Sequence, residues 1–235
     1  MANLYLVATP IGNLEDLTFR AKNILAEVDF VLAEDTRVTK KLLDHYKIST
    51  KTLTWHQHSS EHDWQKIKNI FETGANIALV TDAGTPGVSD PGGQLVAKVA
   101  EELPTVKIIP IPGASSLTAI MSIAGIALDD FLFLGFLPHK KGRQTLLTEI
   151  KESKRPVIFF ESVHRILKAL ESLADCEKKL IVGRELTKNF ETIYRGFARD
   201  ILAILQQDKS QLKGEFVIIV DNYRPRGDRP VGGVI

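Results

Sequence analysis

The sequence predicts an α/β protein that consists of two α/β domains. Along residues 3–220, short apolar runs alternate with stretches of helical periodicity, which is the pattern of strand–helix units. Loops rich in glycine and proline follow several of the predicted strands, as at Asp82–Gly93 (DAGTPGVSDPGG). The pattern restarts near residues 125–130. We therefore predict an N-terminal domain over residues 1–125, a C-terminal domain over 126–222 and a poorly structured tail over 223–235.

The N-terminal domain begins with a strand at Asn3–Ala8, an apolar run that Thr9–Asn13 breaks sharply. A helix over Phe19–Val28 follows Thr18, a good N-cap residue. Thr36 is the predicted cap of the next helix, which carries Leu42 and Leu43. The other predicted strands are Phe30–Ala33, Lys51–Thr54, Asn76–Thr81 and Val106–Ile109, and the other predicted helices are Glu61–Phe71, Gln94–Leu103 and Ser115–Ala124.

The C-terminal domain repeats the alternation. In Val163–Leu173, apolar residues at helical spacing predict one buried helix face, and Ser162 is the predicted N-cap. The other predicted helices are Arg143–Ile150 and Ile201–Leu205, and the predicted strands are Phe131–Leu134, Val157–Phe160, Lys179–Val182, Phe190–Gly196 and Glu215–Val220.

Composition limits the class of protein. The chain has 235 residues, of which 44% are hydrophobic and 25% charged, which is ordinary for a soluble globular protein. No apolar run approaches the roughly 18 residues of a membrane span, and no signal peptide is evident at the N-terminus. The single cysteine, Cys176, suits a reducing compartment, so we expect a cytoplasmic protein. Because the net charge is +1, any surface for nucleic acid must be local.

Three loops end three predicted strands of the N-terminal domain: Thr9–Asn13, Asp82–Gly93 and Pro110–Ala114. If these strands are parallel, their loops meet at one edge of the sheet and form a pocket lined by backbone, suited to a flat polar ligand such as a nucleoside. None of them contains the dinucleotide fingerprint or the phosphate-binding P-loop pattern. The loops thus predict a pocket without identifying its ligand.

The same loops, with four further motifs, resemble a known family. The motifs are Val7–Thr18 (VATPIGNLEDLT), Ala33–Arg37 (AEDTR), Asp82–Gly92 (DAGTPGVSDPG), Ile111–Ser116 (IPGASS), Gly135–Pro138 (GFLP), Phe160–Arg165 (FESVHR) and Gly183–Lys188 (GRELTK). In this order they resemble ribosomal RNA small subunit methyltransferase I, a family of cytidine 2′-O-methyltransferases in the tetrapyrrole methylase superfamily. The resemblance covers about residues 3–222 and departs at Val163, where the family usually has proline.

The resemblance implies a class III methyltransferase with two α/β domains, a cofactor cleft between them and a homodimeric assembly. The implied cofactor is S-adenosylmethionine, and the implied substrate is small-subunit (16S) ribosomal RNA. The implied cofactor contacts are Pro10, Asp82, Ala83, Gly84, Thr85, Val88, Ser115 and Ser116, followed by Glu161 and Gly196 in the C-terminal domain.

Methyl transfer to a ribose hydroxyl needs a base or a group that stabilises the alkoxide. Glu34 and Asp35, at the end of a predicted strand, are the first candidates. Lys188 is the second, either as a base with a lowered pKa or as an alkoxide stabiliser. A structural interpretation competes with these roles, since Glu34, Asp35 and Arg37 can form an ion-pair cluster beside the helix that starts at Thr36.

RNA binding requires clustered positive charge. The segment His139–Arg143 (HKKGR) opens a predicted helix, and Arg37 stands near Lys40 and Lys41. The predicted RNA contacts are Arg37, His139, Lys140, Lys141, Arg143 and Arg165, with Arg184 as a further candidate.

Other functions stay open at this stage. His56 and His58, with His62 four residues on, have a spacing that suits imidazole ligands, which would indicate a metal-dependent hydrolase, although we predict no metal. Another reading is a methyltransferase of the same superfamily that acts on a tetrapyrrole or a diphthine-type substrate. A third is a non-catalytic RNA-binding module.

Overall fold

The computed structural model describes residues 2–90 and 92–222. Its strands are β1 (Asn3–Val7), β2 (Phe30–Ala33), β3 (Lys51–Thr54), β4 (Ile77–Leu79), β5 (Lys107–Ile111), β6 (Leu132–Phe136), β7 (Val157–Ser162), β8 (Lys179–Arg184), β9 (Thr192–Phe197) and β10 (Glu215–Val220). Its helices are α1 (Phe19–Glu27), α2 (Thr36–His45), α3 (Glu61–Glu72), α4 (Gly92–Glu102), α5 (Ser116–Ser122), α6 (Arg143–Glu152), α7 (Ile166–Ser172) and α8 (Ala198–Gln207). The predicted tail, residues 223–235, lies outside the described residues. None of the described helices has the length and apolar character needed to cross a bilayer.

The chain forms two compact units that divide between Ser116 and Leu117. The first unit holds a sheet with strand order β3-β2-β4-β1-β5, and every pairing in it is parallel. The second unit holds a mixed sheet with order β6-β7-β10-β8-β9, in which β6 and β7 are parallel and the other pairings antiparallel. Two α/β domains are thereby confirmed.

The core of the first unit lies on both faces of its parallel sheet. On one face, Val31 and Ala78 pack with Leu25 of α1 and Leu42 of α2. On the other face, their strand neighbours pack with α3 and α4: the cluster includes Leu32, Ile77, Trp64, Phe71 and Leu95. Because successive strand residues point to opposite faces, each apolar strand serves both layers. Burying each of the leucine, isoleucine, valine and phenylalanine side chains contributes about 1.5–3 kcal/mol.

The second unit covers one sheet face with three helices. Leu147 of α6, Ile166 of α7 and Ile201 of α8 pack against Phe159 and Ile218 of the central strands.

Three local predictions were wrong in detail. Asp35, not Thr36, is the N-cap of α2, since its carboxylate accepts a hydrogen bond from the Arg37 amide at 2.8 Å. Ser162 is the last residue of β7, because that strand stays paired with β10 as far as Glu215. The helix after it therefore begins only at Ile166, with Arg165 at the N-cap position.

The third correction concerns Pro110, which was predicted to open a loop. Pro110 and Ile111 instead continue β5 beside Leu6 and Val7 of β1. Proline has no amide hydrogen to donate, so it is tolerated in a strand that pairs on one side only. As an edge strand of the sheet, β5 meets this condition.

Candidate functional site

The three glycine- and proline-rich loops of the first unit meet at the carboxyl edge of its sheet, as predicted for parallel strands. The Thr9 amide donates to the Gly84 carbonyl at 3.1 Å, which joins the β1 loop to the β4 loop. The Thr85 hydroxyl donates to the Ala114 carbonyl at 2.9 Å, which joins the β4 loop to the β5 loop. These bonds turn three separate loops into one cradle, formed by residues 8–13, 82–90 and 112–116, which we call the loop cradle.

Gly84 lies where the three loops come closest. Its φ is +92°, a conformation that side chains disfavour. A Cβ atom at this position would lie 2.6 Å from Cγ2 of Ile11 and 2.8 Å from the carbonyl oxygen of Ala114. Glycine is therefore required here both for the backbone conformation and for the close approach of the neighbouring loops.

The rest of the β4 loop is held by Asp90, a residue that was not predicted to contact the cofactor. One carboxylate oxygen of Asp90 accepts from the Gly87 amide at 2.8 Å and from the Gly92 amide, at the start of α4, at 2.7 Å. Gly87 has a φ of +92° and Ser89 a φ of +63°. Asp90 thus fixes a strained turn and its connection to α4, which gives the loop one defined shape.

Beneath the cradle, two buried threonines link β1 to β4. The Thr9 hydroxyl donates to the Thr81 carbonyl at 2.7 Å, and the Thr81 hydroxyl accepts from the Ala83 amide at 2.8 Å. Both threonines are buried, so these bonds are shielded from water. Of the cofactor contacts predicted in the cradle, Asp82 and Ala83 are exposed, Pro10, Thr85, Val88, Ser115 and Ser116 are half-buried, and Gly84 is buried.

A cluster of carboxyl groups lies beside the cradle. Because β2 is the neighbour of β4, Glu34 and Asp35 follow one strand while Asp82 follows the next. Burial raises the pKa of Asp82, and repulsion from Glu34 and Asp35 raises it further, to about 6. Asp82 is solvent-exposed as a residue, but its carboxyl is partly enclosed by protein. The pKa of Asp82 depends on the enclosure of its carboxyl rather than on the exposure of the whole residue, because the carboxyl carries the charge.

Asp35 and Arg37 form the ion pair that the structural interpretation anticipated. The guanidinium of Arg37 donates to both carboxylate oxygens of Asp35, at 3.0 and 2.7 Å. This hydrogen bonding, together with the bond from the Arg37 amide, lowers the pKa of Asp35 to about 2. A carboxylate that is so weakly basic does not suit a general base at neutral pH, so Asp35 serves α2 as its cap.

For the methyl transfer that the family resemblance implies, we therefore expect the Asp35→Asn variant to keep its rate within about threefold of the wild type, because a general base contributes far more than that. Single-turnover measurements at saturating cofactor would test this. A loss of about a hundredfold or more with unchanged cofactor affinity would return Asp35 to the list of catalytic bases.

Lys188 lies in the second unit, in the loop after β8. Partial burial would lower its pKa, but hydrogen bonds and charge attraction from Glu185 and Glu215 outweigh this, so its pKa is raised. The Nζ atom lies 2.8 Å from Glu185 and 3.1 Å from Glu215. The condition for Lys188 to act as a base, a lowered pKa, is not met. As a permanent cation it retains only the alkoxide-stabilising role.

Glu161 and Gly196, the two cofactor contacts implied for the second unit, lie apart in its sheet. Glu161 pairs with Phe216, which on its other side pairs with Arg184 at the end of β8. Gly196 pairs with Leu180, near the start of β8. At about 3.3 Å per residue, this places Gly196 some 13 Å along the strands from the Glu161 end. The structure does not bring these two residues together.

The predicted RNA contacts of the second unit differ in exposure. His139, Lys140 and Lys141 are exposed, whereas Arg143 and Arg165 are half-buried and paired with Glu161. Arg184 is buried and donates to the carbonyl groups of Lys213, Phe190 and Ser210. Its guanidinium therefore ties loops together and is not presented to a ligand.

His56 and His58 lie close to each other, but the contact between them is not that of a metal centre. Nδ1 of His56 accepts from the His58 amide at 3.1 Å, so the pair makes a local turn. Within residues 2–90 and 92–222 there is no group of three or more side chains placed to hold a metal ion. This geometry gives no support to a metal-dependent hydrolase.

Comparison with known proteins identifies the family of this chain. The sequence profile of the tetrapyrrole (corrin/porphyrin) methylases matches residues 3–202. The ribosomal RNA small subunit methyltransferase I of Vibrio cholerae is 43% identical over 230 residues, which cover 96% of this chain and 79% of that protein. The chain belongs to the ribosomal RNA small subunit methyltransferase I family. A second member, from Synechocystis, is 44% identical over 98% of this chain and 82% of its own length.

Solved structures place the fold of this methyltransferase I family member among the tetrapyrrole methylases. The methyltransferase CobJ superposes with a TM-score of 0.68 at 17% identity, covering 99% of this chain and 98% of that one. Uroporphyrin-III-C-methyltransferase from Thermus thermophilus gives a TM-score of 0.62 at 16% identity and covers 94% of each chain. The predicted family, fold class and methyltransferase activity are thus confirmed.

The site of this methyltransferase I family member contains a feature that the sequence analysis missed. Asp82 was predicted as a cofactor contact, yet its carboxyl lies near enough to Glu34 and Asp35 for their charges to raise its pKa. The three residues follow the strands β2 and β4, which are separated along the chain by α2, β3 and α3. A motif at the end of each strand was recognisable, but their proximity depends on the strand order.

Proposed function

We propose that this protein transfers a methyl group from S-adenosylmethionine to the 2′-hydroxyl of a cytidine in small-subunit ribosomal RNA. The observation that carries the proposal is the loop cradle, built from the motifs shared with the family and joined by the Thr9–Gly84 and Thr85–Ala114 bonds. A relative 43% identical to this chain is named ribosomal RNA small subunit methyltransferase I.

The residues of the cradle fit S-adenosylmethionine by their chemistry. Pro10 and Val88 offer apolar surface, and the small, exposed residue Ala83 leaves its backbone accessible for the polar parts of a nucleoside. The Thr85 hydroxyl is already bonded to Ala114, so Thr85 would contribute its backbone. When bound, the cofactor supplies an activated methyl group. The protein's task is to align the acceptor oxygen with that group and to exclude water.

Removal of the hydroxyl proton is the chemical step that this chain's own side chains can assist. Asp82 is the strongest candidate, because a pKa of about 6 leaves it deprotonated at neutral pH and still basic enough to accept a proton. Glu34, whose charge contributes to the raised pKa of Asp82, is the second candidate. Lys188, as a cation, is a candidate only for stabilising the developing alkoxide.

The decisive experiment compares small-subunit RNA from cells with and without the gene for this protein. Mass mapping of the nucleotides should show that one 2′-O-methylated cytidine disappears in the deletion strain and returns with the wild-type gene. Complementation with a Gly84→Ala gene serves as the negative control. Unchanged RNA, together with methyl transfer by the purified protein to uroporphyrinogen, would instead support the tetrapyrrole alternative.

A homodimer and a cytoplasmic location belong to the same proposal. The single cysteine suits a reducing compartment. Light scattering on the purified protein should give twice the mass of the 26.1 kDa chain, and a mass of one chain would exclude the dimer.

A further inference from the structure

The second unit contains a buried carboxylate that two arginines share. Glu161 has no solvent exposure, and Arg143 and Arg165 have side chains that are 14% and 15% exposed. The Arg143 guanidinium donates to Oε2 of Glu161 at 2.6 Å, and Nε of Arg165 lies 2.9 Å from Oε1. The Ser162 amide also donates to Oε1 at 2.9 Å. Both oxygens of Glu161 are therefore occupied by donors from the protein itself.

The same two arginines hold the loop that follows β6. Arg165 donates to the Leu137 carbonyl at 2.7 Å, and Arg143 donates to the Pro138 carbonyl at 3.4 Å. Since β6 and β7 are parallel neighbours, their loops leave the sheet at the same edge. Glu161 at the end of β7 thus anchors, through the arginines, the segment 137–142, which we call the basic loop.

The basic loop ends in a turn that depends on a glycine. Gly142 has a φ of +84° and occupies the N-cap position of α6 without a side-chain cap. The Arg143 amide donates to the Lys140 carbonyl at 3.2 Å, which closes the turn. This conformation is available to glycine at low cost. The loop is held at its start by the bond from Arg165 to the Leu137 carbonyl and at its end by the bond from the Arg143 amide to the Lys140 carbonyl.

The charge of the basic loop and of the two arginines that hold it is positive. One carboxylate balances only one of the two arginines, and the exposed residues Lys140 and Lys141 add two further positive charges. The exposed His139 adds another when it is protonated. For a chain whose net charge is +1, this is a marked local excess, and such an excess attracts phosphate groups.

We propose that Glu161 is a positioning residue that holds the basic loop in place for the phosphates of the RNA substrate. The inference rests on the proposed function, and it separates two roles among the family motifs. Lys140 and Lys141 contact RNA, whereas Glu161 acts only through Arg143 and Arg165. It differs from the role implied by the family resemblance, in which Glu161 touches the cofactor.

The first test compares two pairs of lysines. In the Lys140→Ala/Lys141→Ala variant, the affinity for small-subunit ribosomal RNA should fall about tenfold, and the salt slope should fall by about 1.4, since each phosphate contact to unpaired RNA contributes about 0.7. The control is Lys154→Ala/Lys179→Ala, which removes the same charge. Lys154 precedes β7 and Lys179 begins β8, so both lie at the opposite end of the sheet from Glu161.

The control pair should bind RNA as the wild type does. Equal affinities for the two double variants would overturn the proposal, because charge at the basic loop would then have no special effect. RNA binding is measured without turnover, so this comparison is valid even if the wild-type protein methylates a different substrate. Absence of methyl transfer to RNA by the wild type would count against the proposed function alone.

The second test concerns positioning. Arg143→Lys keeps the positive charge but loses the planar group that reaches Glu161 and Pro138 together. We expect the KM for RNA to rise at least about threefold, since misplaced contacts weaken binding, with kcat and the calorimetric cofactor affinity unchanged. Glu161→Gln should give a larger change of the same kind, and Glu161→Asp an intermediate one.

Two results would overturn the positioning role. One is an unchanged KM for RNA in Arg143→Lys, since a role limited to charge would survive that substitution. The other is a loss of cofactor affinity in a folded Glu161→Gln protein with RNA binding intact, which would make Glu161 a cofactor contact. Because Glu161→Gln leaves two arginines without their buried partner and lowers stability, Arg143→Lys decides the question if that variant does not fold.

Discussion

The Gly84→Ala variant is expected to lose cofactor binding, with Kd raised at least about tenfold, and to unfold more easily by about 2–5 kcal/mol. The positive φ of Gly84 costs an alanine about 1–2 kcal/mol, and overpacking adds about 1–3 kcal/mol. The new Cβ would lie 2.8 Å from the Ala114 carbonyl oxygen. Since that atom is backbone, the β5 loop must move to make room, and the cradle would open.

Variants at two other glycines of the same region distinguish the cost of the positive φ from the cost of overpacking. Gly87 has the same φ of +92° but has nothing within 4 Å of a Cβ position, so Gly87→Ala should show only the backbone cost. Gly93 lies within α4 with open space around it and no positive φ. Gly93→Ala should therefore leave binding unchanged and stabilise the helix by up to about 1 kcal/mol.

Isothermal calorimetry with S-adenosylmethionine and chemical denaturation would rank the three variants. The expected order of loss is Gly84→Ala, then Gly87→Ala, then Gly93→Ala. If the Gly84 variant bound the cofactor as tightly as the Gly93 variant, the cradle would not be the cofactor site, whatever the stability results.

Much of the fold could be predicted because local and long-range preferences agree. Thr18 caps α1 as predicted, with its hydroxyl accepting from the Ala21 amide. The segment Glu215–Val220 has five consecutive apolar residues after Glu215 and contains no glycine or proline, and it forms the central strand β10 with the predicted bounds. At such positions the chain has one favourable local conformation, and the tertiary structure buries it without changing it.

Prediction failed where strand pairing decided the outcome. Ser162 is a good helix cap by residue type, but pairing with Glu215 holds it in β7, and this partner is distant in the sequence. Pro110 suggests a turn by residue type, yet it continues an edge strand beside Leu6. In both cases, a contact between distant parts of the chain outweighs a local preference.

The candidate site shows the same limit. The loops and their convergence could be predicted from the parallel strands, but the neighbours of each charged group could not. Arg143 was predicted to meet RNA on charge alone, whereas a buried Glu161 holds it. The pKa of Asp82 is raised first by burial and further by repulsion from Glu34 and Asp35, whose strand β2 lies beside β4. Strand order within the sheet, which the sequence did not reveal, therefore contributes to which carboxyl can act as a base.

The Asp82→Asn variant is expected to lower the rate of methyl transfer by about a hundredfold or more, the usual contribution of a general base. Asparagine keeps the shape of the side chain but cannot accept the hydroxyl proton. Single-turnover rates at saturating cofactor, with cofactor affinity measured in parallel by calorimetry, would distinguish the two roles of Asp82. A loss of rate at unchanged affinity supports the base, and a loss of affinity alone supports the cofactor contact.

The pH dependence gives an independent test of the same residue. With a pKa of about 6, Asp82 accepts protons only once it is deprotonated, so wild-type activity should rise with pH through about 6 and then level off. Asp82→Asn should lack this inflection. Glu34→Gln should move it to lower pH, because it removes the strongest repulsion. Asp35→Asn should move it less, and an inflection that persisted in Asp82→Asn would assign it to another group.

The stability of the protein should change with pH in the opposite direction. The folded state holds the Asp82 proton more tightly than the unfolded state, whose Asp82 has its ordinary pKa of 3.8. The contribution of Asp82 to the free energy of unfolding therefore falls as pH rises from about 4 to about 6, and it is constant above that range. Denaturation of the wild type and of Asp82→Asn across this range should diverge on that account. Parallel curves would mean that the carboxyl is as well solvated in the folded protein as in the unfolded chain, which would remove the physical basis for choosing Asp82 as the base.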